Sequence, residues 1–268
     1  MTKQTLDIPK GFYTYPDENG VPKNPGDIPT WTELFREDAL LPEVMAAAAE
    51  RRDPNDTFRM LSVGSSFGPE VDSFLAIARS MELGNVVING YDISPSAIDS
   101  ARRGRYVMRL HNEKRMNFSP LLEAGFNIRV GEEGDGPDRQ YSVSTGVLRR
   151  GNSVNFDVRD FSVGEPPSIE QVNLAVANNM LFHLSPEAAT HLVTNMARLL
   201  KPEGVMSFGG HMGQRSMKGN TRAYDYDRWR HETAVMLERE FGMQPIMRDE
   251  RGTPIVFSRV PSDQQVAA

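Results

Sequence analysis

The chain has 268 residues, enough for one large α/β domain or two small ones, and its 39% hydrophobic and 25% charged residues suit a soluble protein with a buried core. A net charge of −6 offers no broad attraction for phosphate backbones or anionic membranes, which argues against nucleic acid as the main substrate. The absence of cysteine excludes disulfides, zinc thiolates and a cysteine nucleophile, and fits a reducing compartment. The opening MTKQTLDIPKGFYTYP lacks the apolar core of a signal peptide, and no run of about twenty apolar residues occurs, so a cytoplasmic protein is expected, with no membrane association.

Residues 1–30 contain Pro9, Pro16, Pro22, Pro25 and Pro29, a composition that predicts an extended arm. TWTELFREDALLPEVMAAAAERRD follows, where Thr30 or Thr32 can cap a helix with Glu33 in its first turn and Pro42 opens a second. The apolar run Met60, Leu61 and Val63 then stops at Gly64, and Gly68 precedes an amphipathic segment with Val71, Phe74, Leu75, Ile77, Ala78 and Met81. Glycines at a strand-to-helix reversal let the backbone approach a ligand, and the N–H groups at the helix start can hold an anion. The loop Gly64-Ser65-Ser66-Phe67-Gly68 lacks the middle glycine of a dinucleotide fingerprint, so pyrophosphate is disfavoured. The next strand, Val86 to Tyr91, ends in Asp92, whose carboxylate at the strand tip can accept hydrogen bonds from two ribose hydroxyls. Together these form one βαβ unit suited to a nucleoside cofactor.

From this point GYDISPSAIDSARRGRY resembles the corresponding stretch of the chemotaxis-receptor (CheR-type) methyltransferases, which use S-adenosylmethionine to methylate glutamate side chains; the resemblance runs from about Trp31 to about His211. It implies an α/β fold of class I, Rossmann-like, with a mostly parallel sheet, a C-terminal antiparallel hairpin and a small β insertion. It implies that Gly64, Ser65, Gly68 and Glu70 meet the methionine moiety, with Asp92 and Ile93 at the ribose. Pro69 stands where the first of two glutamates is usual, leaving Glu70 as the second. Thr32 and the Phe35-Arg36-Glu37 stretch match a family segment whose arginine lies beside the cofactor and the reacting methyl; from spacing alone, Arg36 reads as a solvated helix arginine. The family's helical N-terminal domain has no room ahead of Trp31, so receptor recognition of the family's kind is not expected.

After Tyr106 the sequence is polar and irregular, then YSVSTGVLRRGNSVNF alternates apolar and polar residues around a Gly-Asn turn, which predicts antiparallel strands. The resemblance implies a small β-subdomain for docking partners over 107–153. The run from Val154 to Phe161 is similar to the family strand whose terminal polar residue bonds the adenine amino group, here Asp160, while Phe161 packs on the ring; read alone, Asp160 is a turn-capping aspartate. VNLAVANNMLFHL over 172–184 reads as a buried parallel strand with a polar tip. There Asn179 keeps the family's asparagine, Asn178 replaces its arginine, and His183 stands where a tyrosine is expected. Ser185 caps a helix with Pro186 at its first turn, and a Lys-Pro-Glu-Gly turn leads into a strand from Val205 to Phe208 followed by Gly209-Gly210-His211, an arrangement common to class I methyltransferases. WRHETAVMLEREFG is predicted as a helix, MQPIMRD and TPIVFSRV as the closing hairpin, and 261–268 as a frayed tail. The expected organisation is an arm at 1–30 and one methyltransferase domain at 31–260 carrying the insertion.

The reading is an S-adenosyl-L-methionine-dependent methyltransferase, releasing S-adenosyl-L-homocysteine, with Arg36, Asn179 and His183 facing the methyl. Thr32, Arg36, Gly64, Ser65, Gly68, Glu70, Asp92, Ile93, Asp160, Phe161, Asn178 and Asn179 make up the cofactor set. An oxygen acceptor is expected, and a carboxylate is already ionised at neutral pH and needs no strong base. His183 can serve as a base for a hydroxyl or amine, or simply bond the backbone at a strand end, and His211 carries the same two readings. No metal is expected, since the histidines at 111, 183, 191, 211 and 231 form no i, i+4 pair. The segment after strand four lacks the two prolines of enzymes that methylate bases in nucleic acids. Two other readings stand beside this one: a small-molecule O- or N-methyltransferase of specialised metabolism, and a non-catalytic sensor of the cofactor or its product.

Overall fold

The structure is a computed structural model that describes residues 40–104, 119–126, 153–178, 180–181, 184–208, 226–249 and 252–260. The arm at 1–30, the first predicted helix with Thr32 and Arg36, the tail at 261–268 and most of the insertion at 107–153 lie outside the described residues. So do Asn179, Phe182, His183, His111 and the stretch 209–225 with His211.

In chain order the elements are α1 (Leu41–Glu50), β1 (Phe58–Val63), α2 (Pro69–Ser80), β2 (Val86–Asp92), α3 (Pro95–Arg102), α4 (Ser119–Glu123), β3 (Ser153–Val158), β4 (Val172–Val176), α5 (Pro186–Leu199), β5 (Leu200–Ser207), α6 (Tyr226–Phe241), β6 (Met243–Arg248) and β7 (Pro254–Arg259). The strands make one sheet in the order β3-β2-β1-β4-β5-β7-β6. The pairs from β3 to β5 are parallel, and β7 runs antiparallel to both β5 and β6. A parallel sheet is covered on both faces, and β1 shows why its run is continuously apolar. Met60 joins the core of α1 and α2, whereas Leu61 and Val63 join the core that includes Leu192, Val193 and Met196 of α5. All five residues of β4 are buried.

Helix boundaries follow the capping residues. Ser94 and Ser185 each accept from a backbone N–H three residues on, with proline at the first helical turn of α3 and α5. α1 starts at the Pro42 turn as expected. At the far end of α5, Arg259 of β7 donates to the carbonyls of Ala197 at 2.8 Å and Leu200 at 3.1 Å, satisfying acceptors that a helix end leaves open.

Three segments differ from their sequence expectations. The alternation over 141–156 predicts antiparallel pairing, yet its described part, Ser153–Val158, is the parallel edge strand beside β2. Alternation reports one half-exposed face, which an edge strand of either direction has. Residues 119–126, expected to be irregular, contain α4, where Arg79 of α2 donates to the Ala124 carbonyl and lies 5.2 Å from the centre of the Phe126 ring. The Lys-Pro-Glu-Gly turn does not precede β5 but sits within it: pairing with β4 jumps from Val172–Leu200 to Leu174–Val205, and Glu203 takes a positive φ of 65°.

Candidate active site

The carboxyl ends of β1, β2, β3 and β4 converge where the chain order reverses between β1 and β4, the place at which open α/β sheets hold ligands. The glycine loop joins β1 to α2 with φ of 74° at Gly64, 50° at Ser66 and 93° at Gly68. The N–H groups of Gly64 and Ser65 both donate to the Tyr91 carbonyl of β2, at 2.8 and 3.0 Å. The sequence reading ascribed these glycines to chain reversal and ligand approach; the structure adds an internal reason. A Cβ on Gly64 would lie 2.8 Å from the Met180 sulfur, and one on Gly68 would lie 2.9 Å from the Phe156 ring. Met180 therefore lies close against the Gly64 backbone at the tip of β1.

Asp92 ties the loop to the second turn. One carboxylate oxygen accepts from the Ser66 N–H and the other from the Ser94 N–H, both at 2.9 Å. The first bond holds a non-glycine residue in the left-handed region, a conformation that costs roughly 1 kcal/mol or more. Burial raises the pKa of Asp92, and the N–H donors of Ser94, Ser66 and Ile93 pull it back down. Ile93 is half-buried next to this carboxylate.

On the far side of β2, Asp160 follows the end of β3. Its Oδ1 accepts from the Ser162 N–H at 2.8 Å and the Ser162 hydroxyl at 2.6 Å, while its Oδ2 is buried without a partner among the described residues. The Ser65 and Ser66 hydroxyls are likewise buried and unpartnered. Phe161 is buried against Tyr91, with ring centres 5.2 Å apart, and its carbonyl accepts from Asn195 of α5. The loop carrying Asp160 is thus pinned to α5.

Glu70, in the first turn of α2, reaches back under the strand ends. It accepts from the Ser62 hydroxyl at 3.2 Å and from the Asn178 amide at 2.9 Å. Gly64, Ser65, Gly68, Glu70, Asp92, Asp160 and Asn178 are therefore gathered at one end of the sheet. Thr32, Arg36, Asn179 and His183 lie outside the described residues. Among the described residues, no group of three or more His, Asp or Glu side chains stands where it could hold a metal ion. Sequence reasoning missed Ser62, Ser162, Met180 and Ser207. Ser62 and Ser207 had a signal, because each interrupts an otherwise apolar strand, in MLSV and in VMSF.

The model for the CheR methyltransferase SAM-binding domain matches residues 30–225, most of the chain. The chain belongs to the CheR methyltransferase family. It is accordingly an S-adenosylmethionine-dependent methyltransferase, and its sheet is the mostly parallel one, with a C-terminal antiparallel hairpin, expected of the class I fold. No curated protein sequence matches this CheR-family chain.

Solved structures with a similar fold include magnesium protoporphyrin IX methyltransferase from Synechocystis with bound SAH, at 15% identity over 82% of each chain and a TM-score of 0.44. A TehB-like SAM-dependent methyltransferase from Corynebacterium glutamicum shows 16% identity over 81% of this chain and 84% of that one, with a TM-score of 0.41. CalS10, an amino pentose methyltransferase from Micromonospora echinaspora, shows 14% identity over 63% of this chain and 48% of that one, with a TM-score of 0.36. The CheR-family chain thus spans about half the length of CalS10. Likenesses this distant carry no information on the acceptor. The buried, unpartnered oxygens of Ser65, Ser66 and Asp160 around the glycine loop and Asp92 suit a polar nucleoside, so the described residues fit the cofactor of the family.

Proposed function

We propose that this CheR-family enzyme transfers the methyl group to an oxygen acceptor, a carboxylate in the first instance, with the cofactor lying across the β1, β2 and β3 tips. The observation that carries this reading is the Asp92 carboxylate, fixed by two backbone N–H groups at the tip of β2, with partnerless buried acceptors on either side. Asp92 accepts from the ribose hydroxyls, Asp160 Oδ2 accepts from the adenine amino group, and Ser65 and Ser66 line the loop. Glu70 faces the α-amino group, and Phe161 backs the adenine pocket. Thr32, Arg36, Asn178 and Asn179 complete the shell.

The bound cofactor supplies an activated methyl on a positively charged sulfur. The chain's own task is to align the acceptor and exclude water. An ionised carboxylate acceptor needs positioning alone, which Arg36 and Asn179 supply. A hydroxyl acceptor needs a base, and the histidine at position 183, where the family has a tyrosine, favours a small-molecule hydroxyl as the second reading. Residues 31–260 act as the catalytic domain in either case, in a cytoplasmic setting.

The test begins with calorimetric titration of S-adenosylmethionine and S-adenosylhomocysteine into the wild type and Asp92→Ala. Micromolar binding corresponds to about 8 kcal/mol, and loss of bonds to both ribose hydroxyls is expected to remove roughly 2–3 kcal/mol of it. Unaltered affinity in a folded variant would refute the assignment. Acceptors are then separated by chemistry: a methyl ester made on a protein carboxylate is released by mild alkali, whereas a methyl ether or amine survives. An alkali-stable product excludes the carboxylate.

A further inference from the structure

We propose that Ser207, Asn178 and Ser62 form a directed hydrogen-bond chain that positions the Glu70 carboxylate to grip the α-amino group of the cofactor. The proposal rests on the cofactor reading above and extends it to Ser62 and Ser207, which have no part in that reading's contacts.

The chain spans three strands and a helix. The Ser207 hydroxyl at the end of β5 lies 3.5 Å from Asn178 Oδ1, Asn178 Nδ2 donates to Glu70 Oε2 at 2.9 Å, and the Ser62 hydroxyl donates to Glu70 Oε1 at 3.2 Å. Sheet register makes this possible. Ser62 pairs with Val176 of β4 and Val176 with Ser207, so the two serines lie level with each other on either side of the central strand, and Asn178 follows just beyond. Ser62 and Ser207 are essentially inaccessible, at 0% and 1% exposure. Alanine would pack equally well in such apolar strands, whereas a buried hydroxyl is tolerated only where it finds a partner.

The direction of every bond follows from the chemistry of its end. An ionised carboxylate only accepts, so Asn178 must present its NH2 group to Glu70 and its carbonyl oxygen to Ser207, which then has to donate. Every hydrogen in the chain therefore points towards Glu70. The first turn of α2 favours a negative charge at that position as well. A carboxylate can accept about four hydrogen bonds, so an ammonium group can add to the Ser62 and Asn178 donors that orient it. Asn178 here stands where the family places an arginine, so the orienting donor on this side is neutral.

A general defect in the sheet would weaken every ligand alike, whereas a defect in this chain weakens only ligands that carry the amino acid. We would compare S-adenosylhomocysteine with 5′-methylthioadenosine, which keeps the adenine, ribose and thioether but lacks the α-amino group, by calorimetry on wild type, Ser207→Ala, Ser62→Ala and Ser207→Thr. Each alanine variant is expected to bind S-adenosylhomocysteine about fivefold more weakly, the worth of one hydrogen bond, and methylthioadenosine as the wild type does. Ser207→Thr, which keeps the hydroxyl, is expected to restore the discrimination. If wild type binds both ligands and the alanine variants lose them equally, or lose neither, this proposal falls and the cofactor reading stands. If wild type binds neither ligand, both fall together.

Discussion

Gly90 is the most direct probe of how the edge strand supports the cofactor loop. It lies in β2 opposite Phe156 of β3, and a Cβ added there would meet two Phe156 ring carbons at 2.7 Å and the Ser65 hydroxyl at 3.1 Å. Ordinary van der Waals contact begins at 3.4 Å, so the ring must retreat by 3.4 − 2.7 = 0.7 Å. It has little room to do so, because the same ring abuts Gly68. The backbone at Gly90 is not in the left-handed region, so the cost of Gly90→Ala is one of overpacking, about 1–3 kcal/mol. For a chain of this size that is a fall in Tm of roughly 3–10 °C. Phe156→Leu removes the outer ring atoms, and in the double variant the cost of the alanine should shrink by about 1 kcal/mol. Urea denaturation of the four proteins closes the cycle. Additive costs, or a Gly90→Ala variant within about 0.5 kcal/mol of wild type, would show that the ring does not press on β2 and the loop as described.

Two further outcomes concern charged side chains partly or wholly withdrawn from solvent. Asp72 of α2 is buried, and desolvation holds its pKa well above the usual carboxylate value. A carboxyl with a raised folded-state pKa destabilises the protein above that pKa, and the penalty is relieved as pH falls towards the unfolded value. Asp72→Asn is therefore expected to be more stable than wild type at pH 7 and to lose that advantage near pH 4, which paired urea melts would reveal; an equal difference at both pH values would contradict it. Arg259→Met is expected to cost about 2–3 kcal/mol, because it leaves the Ala197 and Leu200 carbonyls at the end of α5 without their charged donor. Thermal denaturation monitored by circular dichroism measures this, and an unchanged Tm would mean that water replaces the guanidinium.

Much of the fold was legible because its elements carry strong local signals. The βαβ unit from β1 to β2 announces itself by a glycine loop between an apolar run and a helical period, and α5 by its Ser-Pro cap. The closing hairpin was placed to within a residue or two. Pairing direction at β3 was not legible, because alternation records which face is wet and not which way the neighbour runs. Nor was the turn inside β5, where Lys201 to Gly204 loop out while the strand resumes beside the same neighbour. At the site, the position of Asp92 at a strand end was legible from spacing, whereas Glu70 and Asp160 were singled out by the family resemblance. Ser162 supports Asp160 from two residues away, but Ser207 reaches Glu70 only through Asn178, whose bond to Glu70 joins residues 108 positions apart, which no local pattern encodes. Met180 was hidden for a similar reason. Its contact with Gly64 depends on β4 being inserted beside β1, a fact of topology.

The insertion of β7 between β5 and β6 sets an order on assembly during synthesis. Until Pro254–Arg259 has left the ribosome, β5 and β6 both present open edges with no strand between them. Ser207 shares its rung with Val256, so the strand on which the Glu70 chain begins gains its outer neighbour from the last strand of the sheet to be made. The cofactor loop, encoded near residue 64, thus emerges almost two hundred residues before the sheet that backs it is complete. A nascent chain of this architecture carries β1 without its inner neighbour β4 while the chain from Val63 to Val172 is made, an interval in which holdase chaperones have much to gain from binding it.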